Sequence, residues 1–192
     1  MSAHGLGVVE FQLYLLHTMD PPARLLTEAL DRLGLTDADM RNAAERISPV
    51  LRPRLGPAGA GTNMAADLQA ILGKALVPRL DDIDDRRFYR LPLWEGFVFG
   101  VSFAGAGRLI ESAEFVREPG TAEEPPEPAV WEFLEADLLG PFCEARMVDT
   151  WGHYRTYLTR RPEDPNEYFL RFAWGMLQEV ETADTGERSA NT

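Results

Sequence analysis

Phe97-Val98-Phe99-Gly100-Val101-Ser102-Phe103 is the stretch that decides the fold. Phe97, Phe99, Val101 and Phe103 recur at every second position, the period of a strand with one apolar face. Ala104 to Gly107 follows, a run of small residues suited to a reversal. Leu109 to Val116 is a second extended run, and the three pieces together predict a β-hairpin. A lone hairpin is marginal in water, so its phenylalanine face needs a cover. The aromatic C-terminal third is the expected cover, with Trp151, Phe172 and Trp174 carried on helices. The fold class expected is therefore α+β: a small antiparallel sheet built on the central hairpin and covered by several helices. One domain is expected over residues 1–182, with 183–192 as a flexible tail.

The flanks supply the helices. Val8 to His17 reads two ways. Val9, Phe11, Leu13 and Leu15 alternate with Glu10, Gln12 and Tyr14, whereas Val9, Leu13 and Leu16 also suit a helix; the alternation favours a strand, a third member for the sheet. Asp20 before Pro21 and Pro22 reads as a helix start, and Gly34 as its stop near Leu33. Thr36 to Asp39 opens a second helix through Met40, Ala43, Ala44 and Ile47, broken at Pro49. A third is expected from Asn63 to about Leu80. Beyond the hairpin, Pro119 to Pro128 reads as an exposed linker. Val130 to Leu139 is a short helix. Met147, Trp151, Tyr154 and Leu158 fall at steps of four, three and four, one stripe of a helix. Asp164, Pro165 and Glu167 resemble a helix start, with Phe169, Phe172, Ala173, Met176, Leu177 and Val180 along its face.

Composition narrows the function classes. Of 192 residues, 31 are acidic and 19 basic, a net charge of −12. Such a surface repels phosphate backbones and anionic lipid, so neither nucleic acid nor a membrane is an expected partner. A basic protein or peptide fits, and so does a small apolar ligand. Cys143 is the single cysteine, which excludes an intrachain disulfide. The N-terminal apolar stretch is interrupted by Glu10, Gln12 and His17 and lacks a basic flank, so it is neither a signal peptide nor a span; a cytoplasmic location is expected. Lys74 is the sole lysine against eighteen arginines. That skew hints at a GC-rich bacterial coding sequence, or at salt adaptation, and says nothing about activity.

No motif dictates a reaction. Gly56 to Thr62 has glycines spaced like those of a phosphate-binding loop, but the lysine such a loop needs before the threonine is missing. The plainer reading is a connector, with Thr62 as helix N-cap. There is no HExxH, CxxC or G-x-S-x-G, so no metal, cofactor or serine nucleophile is indicated.

Three groups of polar residues remain. Asp149 and His153, four apart, would share a helix face, and a carboxylate beside an imidazole suits a general base or a ligand. Their plainer reading is an exposed helix pair. Glu10, Tyr14 and His17 would share a stripe only if their segment is helical; otherwise they are an ordinary polar edge. Arg86, Arg87, Tyr89 and Arg90, with Trp94 close behind, form the one dense basic-aromatic patch, of the kind favoured at protein interfaces. Its arginines could equally neutralise the aspartates at 81–85.

Two functions follow from these residues. The first is a non-catalytic accessory or partner-binding protein with an acidic surface that meets a basic protein. The second is a small-molecule enzyme or ligand-binding protein, with a pocket between the hairpin and the aromatic C-terminal helices and Asp149 and His153 as acid-base or ligand groups.

Overall fold

The computed structural model describes residues 5–51, 63–77, 86–118, 120, 127–139, 144–162 and 164–183. Within them are four α-helices and two antiparallel sheets, of three and four strands, so the fold class is α+β. The chain divides into two compact units, Met1–Ala122 and Glu123–Thr192.

The first unit holds all four helices. Val8–Met19 is a helix (α1), not a strand. Its alternation misleads because the helix is covered nearly all round: Phe11, Gln12, Leu13, Leu15, Leu16 and Met19 are all buried, which blurs the helical period. The Glu10 carboxylate accepts the Gly7 N–H at 2.9 Å and satisfies a free amide at the helix start. Asp20 is left-handed and closes α1 instead of opening the next helix, which begins at Ala23 behind Pro21 and Pro22 (α2, Ala23–Leu33). Gly34 caps α2 at φ +67°, as the sequence implies. The third helix (α3, Asp37–Leu51) is opened by a reciprocal exchange between Thr36 and Asp39. It runs two residues past Pro49. The fourth (α4, Met64–Leu72) has Asn63 as N-cap, and a 3-10 turn at Gly73–Ala75 ends it short of the expected limit.

The hairpin stands where the sequence put it. Phe97–Ala104 (β2) pairs with Leu109–Arg117 (β3) around a turn in which Gly105, Ala106 and Gly107 all have positive φ. The third strand is Arg86–Arg90 (β1), pairing with β2 on its other side. Tyr89, Phe99 and Phe115 lie opposite one another and form one buried row. Phe11 of α1 meets Phe99 edge-on at 5.6 Å, Phe115 meets Phe99 at 5.2 Å, and Trp94 meets Phe115 at 4.9 Å. The phenylalanine face is thus covered from the N-terminal side of the chain, by α1, and α1 packs in turn on α3. Gln12 is buried in this contact and its amide oxygen accepts the Leu93 N–H at 2.7 Å, so its polar group is satisfied.

The second unit is a meander. Glu144–Trp151 (β4), Tyr154–Arg160 (β5), Glu167–Ala173 (β6) and Met176–Ala183 (β7) pair in sequence order, each antiparallel to the next. The helices expected over 147–158 and 164–180 are therefore strands, and the helix expected at 130–139 reduces to a 3-10 turn at Glu135–Leu139. The physical reason lies at the turns. Gly152 (φ +62°) reverses the chain between Trp151 and Tyr154, and Trp174-Gly175 (φ +52° and +75°) reverses it between β6 and β7. Steps of four, three and four that straddle such a turn only imitate a helix. Phe133, Leu138, Leu170, Phe172 and Leu177 form the unit's core, with Tyr157 and Tyr168 against it. The Tyr157 hydroxyl donates to Glu135 at 2.5 Å, and Arg155 reaches the other oxygen of that carboxylate at 3.1 Å. Burial, with the Glu135 hydrogen bond and charge behind it, pushes the Tyr157 hydroxyl up to about 12.

The glycine loop 56–61 with Thr62, the acidic run 81–85, Cys143, most of 119–128 and the tail beyond Ala183 lie outside the described residues. No described helix is long and apolar enough to cross a membrane.

Candidate functional site

Arg86 and Arg87 stand side by side on β1 and point to opposite faces of a strand, yet both reach one cavity. It has a volume of about 510 Å³ and lies where β1, the β2–β3 turn and the start of α4 converge. Gly100 makes room for Arg86. A Cβ there would come within 2.7 Å of Arg86 Nε and 3.0 Å of the Phe88 ring. With hydrogen in that place, the guanidinium lies across the strand, 5.2 Å from the centre of Phe88, and donates to Glu114 at 2.7 Å. Arg86 is thereby neutralised. Arg87 is held differently. It lies over Phe103 at 5.4 Å and donates to the Ala65 carbonyl at 3.2 Å, with no ion pair among the described residues. Gly107, at φ +83°, fits the turn against α4: a Cβ there would come within 3.0 Å of the Ala65 side chain, and its carbonyl accepts the Ala65 N–H at 3.0 Å. Asn63 and Gln69 complete the polar lining.

The rest of the basic-aromatic patch does not join them. Tyr89 and Trp94 are core residues, 0% and 3% exposed. Arg90 is exposed and paired with Glu118, its Nε 3.2 Å from that carboxylate. The sequence showed two arginines in a row; it could not show that Asn63, Gln69 and Phe103, far away along the chain, meet them.

Glu10, Tyr14 and His17 do share a helix, but they form no joint site. Glu10 is engaged with Gly7 and borders a second hollow of about 480 Å³ with Lys74. Tyr14 packs its ring 5.9 Å from Phe11, and His17 is exposed.

Asp149 and His153 sit on a strand and in a turn, not on a helix face. Asp149 is exposed on β4, opposite Thr156 of β5. The His153 ring stacks on Trp174 at 4.2 Å and 6° and meets Tyr154 at 4.3 Å, while the His153 carbonyl accepts the Trp174 N–H at 3.0 Å. These contacts make the imidazole part of an aromatic clasp across two turns. The C-terminal helices expected to flank Asp149 and His153 are the strands β4 to β7.

What the sequence reading missed is β4 itself. It is the edge of its sheet, and all eight of its residues are exposed. Met147 is 49% exposed, Val148 39% and Trp151 79%. A bulge between Met147 and Asp149 leaves Val148 without an opposite number on β5. An edge strand offers unpaired N–H and C=O groups to another chain. The signal was present in the alternation of Ala145, Met147 and Val148 with charged residues, but the helical spacing masked it.

Charge is unevenly divided. Residues 1–122 carry 16 acidic and 13 basic side chains, a net −3; residues 123–192 carry 15 acidic and 6 basic, a net −9. Most of the net negative charge belongs to the unit with the open edge. Among the described residues, no group of three or more His, Cys, Asp or Glu is placed to hold a metal. Comparison with protein-family models, with curated proteins and with solved structures finds no match.

Proposed function

We propose that the chain is a partner-binding protein, non-catalytic in itself, whose residues 123–192 capture a basic protein or peptide along β4. The supporting observation is that edge strand: eight exposed residues with an apolar Met147, Val148 and Trp151, in a unit of net charge −9. Exposed aromatic and methionine side chains are enriched where proteins meet. An extended segment can add to a sheet edge through main-chain hydrogen bonds, with side-chain contacts setting preference. The unit's net negative charge would speed encounter with a cation and make it sensitive to salt.

The test uses synthetic peptides that alternate valine with arginine, or valine with glutamate, followed by fluorescence anisotropy at low and high salt. The arginine peptide is expected to bind, to weaken as salt rises, and to lose roughly tenfold or more on Trp151→Ala or Asp149→Lys. Both substitutions fall on exposed side chains, so folding should survive them. Equal binding of the glutamate peptide, or indifference to both substitutions, would sink the proposal.

The alternative, a ligand-binding protein or enzyme using Asp149 and His153, draws little support from their placement. A ligand-binding role finds better support in the cavity at Arg87.

A further inference from the structure

We propose that the cavity at Arg86 and Arg87 binds a small organic anion: a carboxylate or phosphate head joined to a compact apolar or aromatic body. This rests on residues 63–69, 86–87, 103–107 and Glu114 and is independent of the partner surface on β4.

Size comes first. About 510 Å³ is within the range of small-molecule sites, which are typically a few hundred to a thousand Å³. Charge comes next. In a chain whose acidic residues outnumber its basic ones by twelve, Arg87 has no carboxylate among the described residues. A guanidinium carries five N–H donors, and Arg87 spends one on Ala65. Its guanidinium carbon lies 5.4 Å from the centre of the Phe103 ring, and a guanidinium is a planar fork suited to a two-oxygen acceptor. Beside it, Arg86 already has Glu114, yet its Nε is buried without an acceptor. Among the described residues, Arg87 is thus the guanidinium at this cavity with donors left to give.

The polar lining agrees. Asn63 uses its side-chain oxygen on the Ala66 N–H, so what it has left for a ligand is its amide N–H₂. Gln69 adds a second amide to the lining, its nitrogen beside Gly73 on the side shared with the second hollow. The amides that open α4 are already engaged: Ala65 with Gly107, Ala66 and Asp67 with Asn63. The site therefore depends on side-chain donors and not on the helix end. Phe103, Ala66 and Ala106 provide apolar wall for the body of the ligand. A cation would be repelled. A neutral apolar molecule would strip water from Arg87 and return no acceptor, which is costly.

The probes are benzoate, phenyl phosphate and the neutral isostere benzamide, titrated into the full ¹⁵N-labelled chain and followed by NMR. Benzoate or phenyl phosphate is expected to shift the backbone amides of Ala65, Ala66, Phe103 and Gly107 with millimolar affinity, as suits so small a ligand. Which of the two binds more tightly separates a carboxylate from a phosphate head. Benzamide should bind roughly tenfold or more weakly, the worth of a charge-assisted hydrogen bond. Arg87→Gln should lose a similar factor. Should that variant fail to fold, Gln69→Glu, at an exposed position, adds a repelling charge and should weaken both anions severalfold. Equal affinity for benzamide overturns the proposal. So do shifts confined to other residues, no binding of either anion at millimolar concentration, or unchanged anion affinity in Gln69→Glu.

Discussion

The two units of this chain solve the same problem, covering an antiparallel sheet, with different amounts of material. In residues 1–122, β2 is buried at five successive positions, Phe97 to Val101, so both faces of the strand are covered there. Helix α1 supplies one cover and itself is packed nearly all round. In residues 123–192 the cover is one short segment around Phe133 and Leu138, and β4 lies wholly exposed. A short chain has proportionally more surface and less core. The lesson is that surface left over by a small core is where net negative charge and an unpaired edge can gather, while the larger, nearly neutral unit carries an open hollow on its surface.

Removing one ring from each core is the strongest way to break this contrast. Phe172→Ala and Phe99→Ala both empty a buried site, and each should cost about 3–5 kcal/mol. The smaller core has less in reserve. Hydrogen exchange on the full chain is expected to show protection lost across β4 to β7 in Phe172→Ala, while Phe99→Ala leaves α1 and α3 partly protected. Greater loss in the first unit than in the second would reverse the ranking of the two cores.

A smaller effect sharpens the comparison within the first unit. At Gly100 an added methyl would crowd Arg86 and Phe88. Alanine otherwise suits a strand interior better than glycine by about 0.5–1 kcal/mol. Gly100→Ala should therefore be destabilising by about 1 kcal/mol in the native background, and clearly less so once Arg86→Ala has removed the tightest contacts and left only Phe88. Chemical denaturation of the four proteins of this cycle checks it. Additivity would mean that Gly100 does not shape the bed of the Arg86 guanidinium.

The same contrast explains what could be read from the sequence. The hairpin was legible because Phe97, Phe99, Val101 and Phe103 face one way and the glycines at 105 and 107 mark the turn. Gly34 was legible as a helix stop for the same local reason. Helix α1 was not, since its polar stripe of Glu10, Tyr14 and His17 is narrow and Gln12, a polar residue, falls on the buried side and completes a strand-like alternation. The C-terminal meander failed on its two-residue turns. Gly152 and Gly175 were the available signals, together with the aromatic and β-branched content of Tyr154 to Thr159, and both were overridden by spacing that crosses a turn. Of the candidate site, the arginine pair was visible, but the cavity is made by contacts between segments forty residues apart, such as Ala65 with Gly107. Periodicity carries no information about those.

The smallest effect tests how the second unit fastens its one covering segment. Tyr157 ties β5 to Glu135, and Arg155 holds the same carboxylate. The Tyr157 hydroxyl ionises at about 12 in the folded chain, against an ordinary value of about 10. Because the folded value is the higher one, folding favours the protonated phenol. Its contribution is fully present below pH 10 and is lost as pH rises from about 10 to about 12, where the unfolded chain ionises first. Arg155 works against this shift, since its charge favours the phenolate, and burial is the larger cause on the other side. Stability of the native chain should thus fall through that alkaline window by more than that of Tyr157→Phe, which keeps the ring and loses the proton. Below pH 10 Tyr157→Phe should cost only the hydrogen bond, about 1 kcal/mol. Parallel pH profiles for the two proteins would mean that the hydroxyl is not buried against Glu135, and that the fastening is made by the rings of Phe133 and Phe172 alone.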